Sequence, residues 1–116
     1  MVVCCLEAGH ADRVFQALAD ATRRDILARV LRADVTVSGL ARHYPVSFAA
    51  IQKHVAVLER AELVTKERRG RERLVRGNAE AIRRARRLLD ELEVVWRDRV
   101  DRIEAVLADP DRGADR

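Results

Sequence analysis

Several things are scarce in this chain of 116 residues. Aromatic residues make up 3% of it. A core must therefore come from Leu, Val, Ile and Ala, which suits packed helices better than a β-sandwich. Cysteine occurs twice, adjacent at Cys4 and Cys5. Neighbouring cysteines rarely bridge each other, so a disulfide framework is excluded and a reducing, cytoplasmic setting is expected. No stretch approaches the roughly 18 consecutive apolar residues of a membrane span. The apolar start, Met1-Val2-Val3-Cys4-Cys5-Leu6, is too short for a signal-peptide core and lacks a basic leader. Catalytic grammar is missing too. Ser38 and Ser47 have no evident base, no Gly-rich phosphate loop occurs, and the acids are scattered among arginines, so no enzyme is expected.

What is present is charge in one place. The net charge is +4, weak evidence for nucleic acid by itself. Residues 60–76, however, hold Arg60, Lys66, Arg68, Arg69, Arg71, Arg73 and Arg76 against only Glu62, Glu67 and Glu72. The rest of the chain is close to balanced.

The apolar periodicity outlines one domain over 10–108, with 1–9 loosely ordered and 109–116 a disordered polar tail containing Pro110 and Gly113. A first helix is expected from His10 to Ala19, on Ala11, Val14, Phe15 and Leu18. Thr22, with Asp25 three residues on, reads as the N-cap of a second helix burying Ile26, Leu27, Val30 and Leu31. Thr36 reads as the cap of a short helix to His43, weakened by Gly39. Tyr44-Pro45-Val46 ends it, because proline disfavours helical geometry just before it.

Ser47 then caps a helix in which Ile51, Val55 and Leu58 fall on one face. Phe48, Ala49, Gln52 and Lys53 fall on the other. That division suits a recognition helix, apolar inward with hydrogen-bonding groups outward near the N-terminus. Gln52 can pair with adenine, Lys53 with guanine or a phosphate. Phe48 suits either a thymine methyl or packing beside the next element. His54 suits either the DNA backbone or a packed helix position. Residues 63–68 and 72–76 read as two strands joined through Arg69-Gly70-Arg71, where Gly70 is free to take positive φ. Arg68, Arg69, Arg71 and Arg73 cluster around this tip, and forked guanidinium donors suit phosphate.

Asn78 reads as the cap of a long helix from Ala79 to about Ala108. Ile82, Leu89, Trp96 and Ile103 recur every seven residues, with Leu92 and Val106 beside them. That face exceeds what a small core needs, so it should meet another helix. The sequence thus predicts a mainly α fold with a small β-hairpin, a winged helix-turn-helix whose long last helix meets a second helix through Leu89, Leu92, Trp96 and Ile103. Arg83, Arg84, Arg86 and Arg87 read as a solvated helix face.

The segment Phe15-Gln16-Ala17-Leu18-Ala19-Asp20-Ala21-Thr22-Arg23-Arg24-Asp25-Ile26-Leu27 resembles the opening of the ArsR/SmtB repressors. Residues 46–64 resemble their recognition segment, and Gly70-Arg71 their wing. The ending from Trp96 to Ile103 is similar to a subgroup that often lacks a metal site. The resemblance implies a homodimeric repressor on an imperfect palindrome, with double-stranded DNA as partner, no cofactor and no membrane, pairing through its first and last helices with Val14, Phe15, Leu89, Leu92, Trp96 and Ile103 as the expected interface residues. Metal-sensing members place a Cys-x-Cys pair before the recognition helix, or Asp/His and His/Glu pairs on the last helix. Residues 36–43 contain no cysteine and the last helix no histidine, so no metal site is expected. Two alternatives stand beside this reading. One is a thiol-based sensor of soft metals or oxidants using Cys4 and Cys5. The other is a winged-helix protein-interaction module. The chain departs from the family pattern at Glu62, where glycine is usual, at Gln52 for a serine, and at Gly39 for a glutamate.

Overall fold

The structure, a computed structural model, describes residues 5–108, with side chains from Gly9 onward. The expectations for residues 1–4, for the tail 109–116 and for the thiols of Cys4 and Cys5 lie outside the described residues. In chain order the elements are α1 (Cys5–Leu18), α2 (Ala21–Arg32), β1 (Val35–Thr36), α3 (Val37–Ala41), α4 (Phe48–Arg60), β2 (Val64–Arg69), β3 (Glu72–Gly77) and α5 (Ala79–Ala108). The chain divides into two compact units, one through Ala85 and one from Arg86.

The first unit has a single core. Val14, Ile26, Leu40, Ile51, Val55, Leu58, Leu63, Val64 and Val75 are essentially inaccessible. They come from α1, α2, α3, α4, the turn after α4 and the sheet, so burial ties the helix-turn-helix to its flanking strands. Burying a side chain of this size stabilises by about 1.5–3 kcal/mol. The sheet is antiparallel in the order β1-β3-β2. Val64 faces Gly77 and Arg69 faces Glu72, while Val35 pairs with Val75. The third strand, β1, is the element that periodicity did not suggest.

Local chemistry explains most boundaries. Thr36 Oγ1 accepts from Gly39 N at 3.0 Å, and Ser47 Oγ from Ala50 N at 3.1 Å, so both expected caps form. Asn78 Oδ1 accepts from Glu80 N at 3.2 Å and caps α5.

Three expectations are corrected. The cap of α2 is Asp20, not Thr22: its Oδ1 accepts from Arg23 N at 3.0 Å in extended backbone geometry. That bond, foremost, holds the Asp20 carboxyl below its usual pKa. Asp25, freed from the cap, bonds elsewhere. Leu31, expected inside, is 43% exposed. It lies over Gly77, where an added β-carbon would stand 2.6 Å from a Leu31 methyl and 3.1 Å from the Leu31 Cα, so a larger residue there would force Leu31 to shift. Finally, α1 starts at Cys5 rather than His10. Gly9 lies inside it, because one glycine weakens a helix by about 1 kcal/mol without stopping it.

The helix-to-strand turn after α4 is where the chain departs from the ArsR/SmtB pattern. Glu62 takes φ +61°, a left-handed conformation. Leu63 N donates to Leu58 O at 3.0 Å and Glu62 N to Glu59 O at 2.9 Å. This is the Schellman closure, with its apolar contact supplied by buried Leu58 and Leu63. The backbone keeps the geometry that glycine would favour and places glutamate in it, at a cost of about 1 kcal/mol.

Candidate nucleic-acid interface

Amphipathicity splits α4 cleanly. Ile51, Val55 and Leu58 are completely buried. Ser47, Phe48, Ala49, Gln52 and Lys53 are exposed. Since the apolar face is fixed in the core, the N-terminal half of the outer face is presented rigidly to solvent. Phe48 remains 46% exposed, a large open fraction for a phenylalanine. His54 is half-buried, unlike its exposed neighbours Gln52 and Lys53, and its charge is a minor contributor to the lowered pKa of Asp20.

The hairpin sorts its cations into two groups. Lys66 pairs with Glu59 at 3.3 Å and so ties β2 to α4. Arg76 pairs with Asp34 at 2.9 Å and Glu67 at 3.5 Å, locking the sheet to the α2–β1 connection. Both are structural. Arg69 reaches Glu67 only at 3.9 Å, on the open surface. Arg68, Arg71 and Arg73 have no carboxylate within ion-pair distance among the described residues. Arg68 donates only to Gly70 O, at 3.3 Å. Arg68 and Arg73 are also direct cross-strand partners. Like charges opposed in this way destabilise a hairpin by some tenths of a kcal/mol unless an anion sits over them. Gly70, at φ +62°, makes the two-residue turn that gathers them. Its first position in the loop suits the glycine-first hairpin turn.

A second network, which sequence reasoning missed, holds the turn before α4. Tyr44 Oη donates to Asp25 Oδ2 at 2.5 Å. Arg29 Nε donates to the same oxygen at 3.0 Å and to Tyr44 Oη at 3.2 Å, and its guanidinium lies 5.7 Å from the tyrosine ring centre. The hydrogen bonds from Tyr44 and Arg29 hold the Asp25 carboxyl below its ordinary value. Burial, aided by Asp25, pushes the Tyr44 phenol up to about 12. Tyr44 thereby pins the turn that launches α4 onto α2. The available signal was a lone tyrosine before a proline, with an Asp/Arg pair spaced i, i+4 upstream.

The expected pairing residues divide. Val14 is corrected: it is fully buried within the chain's own core and cannot face a partner. Its spacing on α1 fits the inner face equally well. Phe15 is partly buried against the core. On α5, Leu89, Leu92, Trp96 and Ile103 are 48–59% exposed, and Val95 and Leu107 more so. No group of three or more His, Cys, Asp or Glu side chains poised for a metal occurs among the described residues. No helix among them is long and apolar enough to cross a membrane.

A three-helix core, a helix-turn-helix and a basic β-hairpin define the class: a winged helix-turn-helix. No family model matches the chain. It is 49% identical over 53 residues to the HTH-type transcriptional regulator Rv2034 of Mycobacterium tuberculosis, covering 46% of this chain and 50% of that protein. It is 36% identical over 59 residues to the transcriptional repressor SdpR of Bacillus subtilis, covering 51% and 66%. The chain thus spans half to just under two thirds of these two relatives. Its match to the uncharacterised HTH-type transcriptional regulator YuzN of Bacillus subtilis is broader, 39% identical over 65% of this chain and 89% of that one. Among solved structures, an ArsR-like transcriptional regulator from a Rhodococcus species superposes with a TM-score of 0.80 at 32% identity, covering 90% of this chain and 96% of that one. A homodimeric winged helix-turn-helix DNA-binding domain from Mycobacterium bovis shares the fold at 22% identity, with a TM-score of 0.60 over 82% of this chain and 85% of that one. The chain belongs to the ArsR family of transcriptional regulators.

Proposed function

We propose that this regulator is a homodimeric repressor that reads an imperfect DNA palindrome without a metal. The observation that carries the reading is the pairing of a rigid exposed face on α4 with unneutralised arginines at the hairpin tip. Gln52 and Lys53 read base edges, with Ser47, Phe48 and Ala49 beside them. Arg68, Arg69, Arg71 and Arg73 hold phosphates, and His54 orients α4. Two such readers on one duplex need a pairing surface. The apolar stripe Leu89, Leu92, Trp96 and Ile103, with Phe15 of α1, supplies it, and the Mycobacterium bovis domain is a homodimer by its own description. The repressor SdpR supports the direction of control. Metal independence rests on residues 36–43 without cysteine and a last helix without histidine.

The test is retardation and footprinting of DNA upstream of the chain's own coding sequence. Two protected half-sites about one helical turn apart are expected. Affinity should fall steeply with salt as bound arginines release counterions. Absence of retardation of any such fragment at low salt would sink the proposal and favour a protein-interaction module. Release by metals or peroxide that vanishes in a Cys4→Ser, Cys5→Ser variant would instead establish the thiol-sensing alternative.

A further inference from the structure

We propose that a pocket behind the recognition helix binds a small organic oxyanion with a short apolar body. The pocket is an open groove of about 420 Å³ lined by Arg13, Gln16, Arg23, Val57 and Arg60. Three helices supply these groups: Arg13 and Gln16 from α1, Arg23 from the first turn of α2, and Val57 and Arg60 from the end of α4.

Arg23 is held in place by its neighbours. Its Nε donates to Ala17 O at 2.8 Å and its Nη2 to Gln16 O at 2.9 Å, two carbonyls in the last turn of α1. That leaves Nη1 without a protein acceptor among the described residues. Neither Arg13 nor Arg60 has a carboxylate within ion-pair distance among the described residues. Two carboxylates close to these arginines along the chain are held elsewhere: Asp20 accepts from Arg23 N, and Glu59 pairs with Lys66. Three arginines line one pocket, and among the described residues no carboxylate lines it. Mutual repulsion disfavours that arrangement, and an anion relieves it.

Guanidinium groups bind carboxylates and phosphates through paired, planar donors, and do so best when pre-positioned. Arg23 meets that condition through its two carbonyl contacts. Gln16 adds a neutral donor and acceptor. Val57, partly buried against the core, offers an apolar wall. The pocket's size fits a ring or short chain bearing one acid group. None of its residues is among those proposed to touch DNA, so the site stands or falls separately from that reading.

The experiment is a titration of the isotope-labelled full chain with benzoate and with phenyl phosphate, at constant ionic strength, followed by amide chemical shifts. Saturable shifts centred on Arg13, Gln16, Val57 and Arg60 are expected with at least one probe, and the preferred probe assigns carboxylate or phosphate as the acid. Arg13→Gln with Arg60→Gln should weaken that binding by about tenfold or more. Arg69→Ala with Arg71→Ala, at the wing, should leave it unchanged. Shifts that never saturate, shifts centred on the wing, or equal affinity in the pocket double variant would each overturn the proposal. The wild-type shift map decides the matter even where a variant folds poorly.

Discussion

Helix α4 and the part of α5 beyond Ala85 carry the same kind of apolar stripe and meet opposite fates. In α4 the stripe is Ile51, Val55 and Leu58, and all three are inaccessible within one chain. In α5 the stripe includes Leu89, Leu92, Trp96 and Ile103, and all four are about half exposed. Periodicity says that a face wants company. Whether that company is the same chain or another depends on how much core remains to be shared. Only Ala81 and Ala85 of α5 are buried in the first unit's core, and Ile82 packs partly against it.

Breaking each stripe should therefore produce different failures. The largest effect is expected from Leu58→Ala, which removes a fully buried side chain that also closes the turn after α4. A loss of about 2–5 kcal/mol is expected, visible as a collapse of the thermal midpoint. Leu92→Glu should leave the helical spectrum and the winged body intact while shifting sedimentation to the monomer. A Leu92→Glu variant that sediments like the wild type at micromolar concentration would contradict the pairing role of α5.

The outward face of α4 and the wing should separate in the same manner. Arg71→Ala is expected to weaken binding on every DNA sequence and to lower the salt slope by about one. Gln52→Ala should cost about 1–3 kcal/mol at particular base pairs and leave others alone. Equal losses across all sequences from both would remove the division between reading and holding.

Glu62→Gly tests the hinge between these two parts. Glycine takes the +61° φ without penalty, so the variant should gain about 1 kcal/mol in denaturant unfolding. An unchanged or lower stability would mean that the glutamate side chain offsets the strain, and its long contact with Arg84 at 3.9 Å is the nearest candidate.

Smallest of all is Tyr44→Phe, expected to lower the thermal midpoint by a few degrees through loss of the bond to Asp25. The pH dependence has two arms. The Tyr44 phenol is raised from 10.0 to about 12 in the fold. Its contribution is complete below pH 10 and disappears as pH rises through 12. The Asp25 carboxyl is depressed below 3.8. Its contribution is complete above that value and disappears as pH falls through the lower folded value. Tyr44 is the chain's one tyrosine, so tyrosinate absorbance reports the first arm directly, and titration near 10 would discard the network.

What could be read in advance was what neighbours in sequence decide. Ser47, Thr36 and Asn78 cap because an oxygen two or three residues from a free N–H is a local fact. Gly70 turns the hairpin for the same reason. Beyond that range the signal fades. Asp20 and Thr22 are both good caps two residues apart, and only the path of the incoming chain chooses between them. Strand β1 is two residues long and exists because Val35 finds Val75, forty positions away. Val14 and Leu31 sit at apolar positions of their helices, yet the fold buries one and leaves the other to cover Gly77. The Tyr44 network joins residues 15 and 19 positions apart, and no spacing rule reaches across a loop of that kind. Of the wing's cations, composition alone could not distinguish Arg76, which braces the sheet, from Arg68, Arg71 and Arg73, which have no carboxylate among the described residues to brace against.

Trp96 is the chain's one tryptophan, 59% exposed, with the Arg99 guanidinium 5.9 Å from its ring centre. The protein therefore carries its own optical probe at the middle of the surface in question. An indole that open to water emits at long wavelength. Covering it with a second helix should move the emission to the blue and shield it from iodide quenching. Diluting the unlabelled protein while following that colour would yield the self-association constant from intrinsic fluorescence alone.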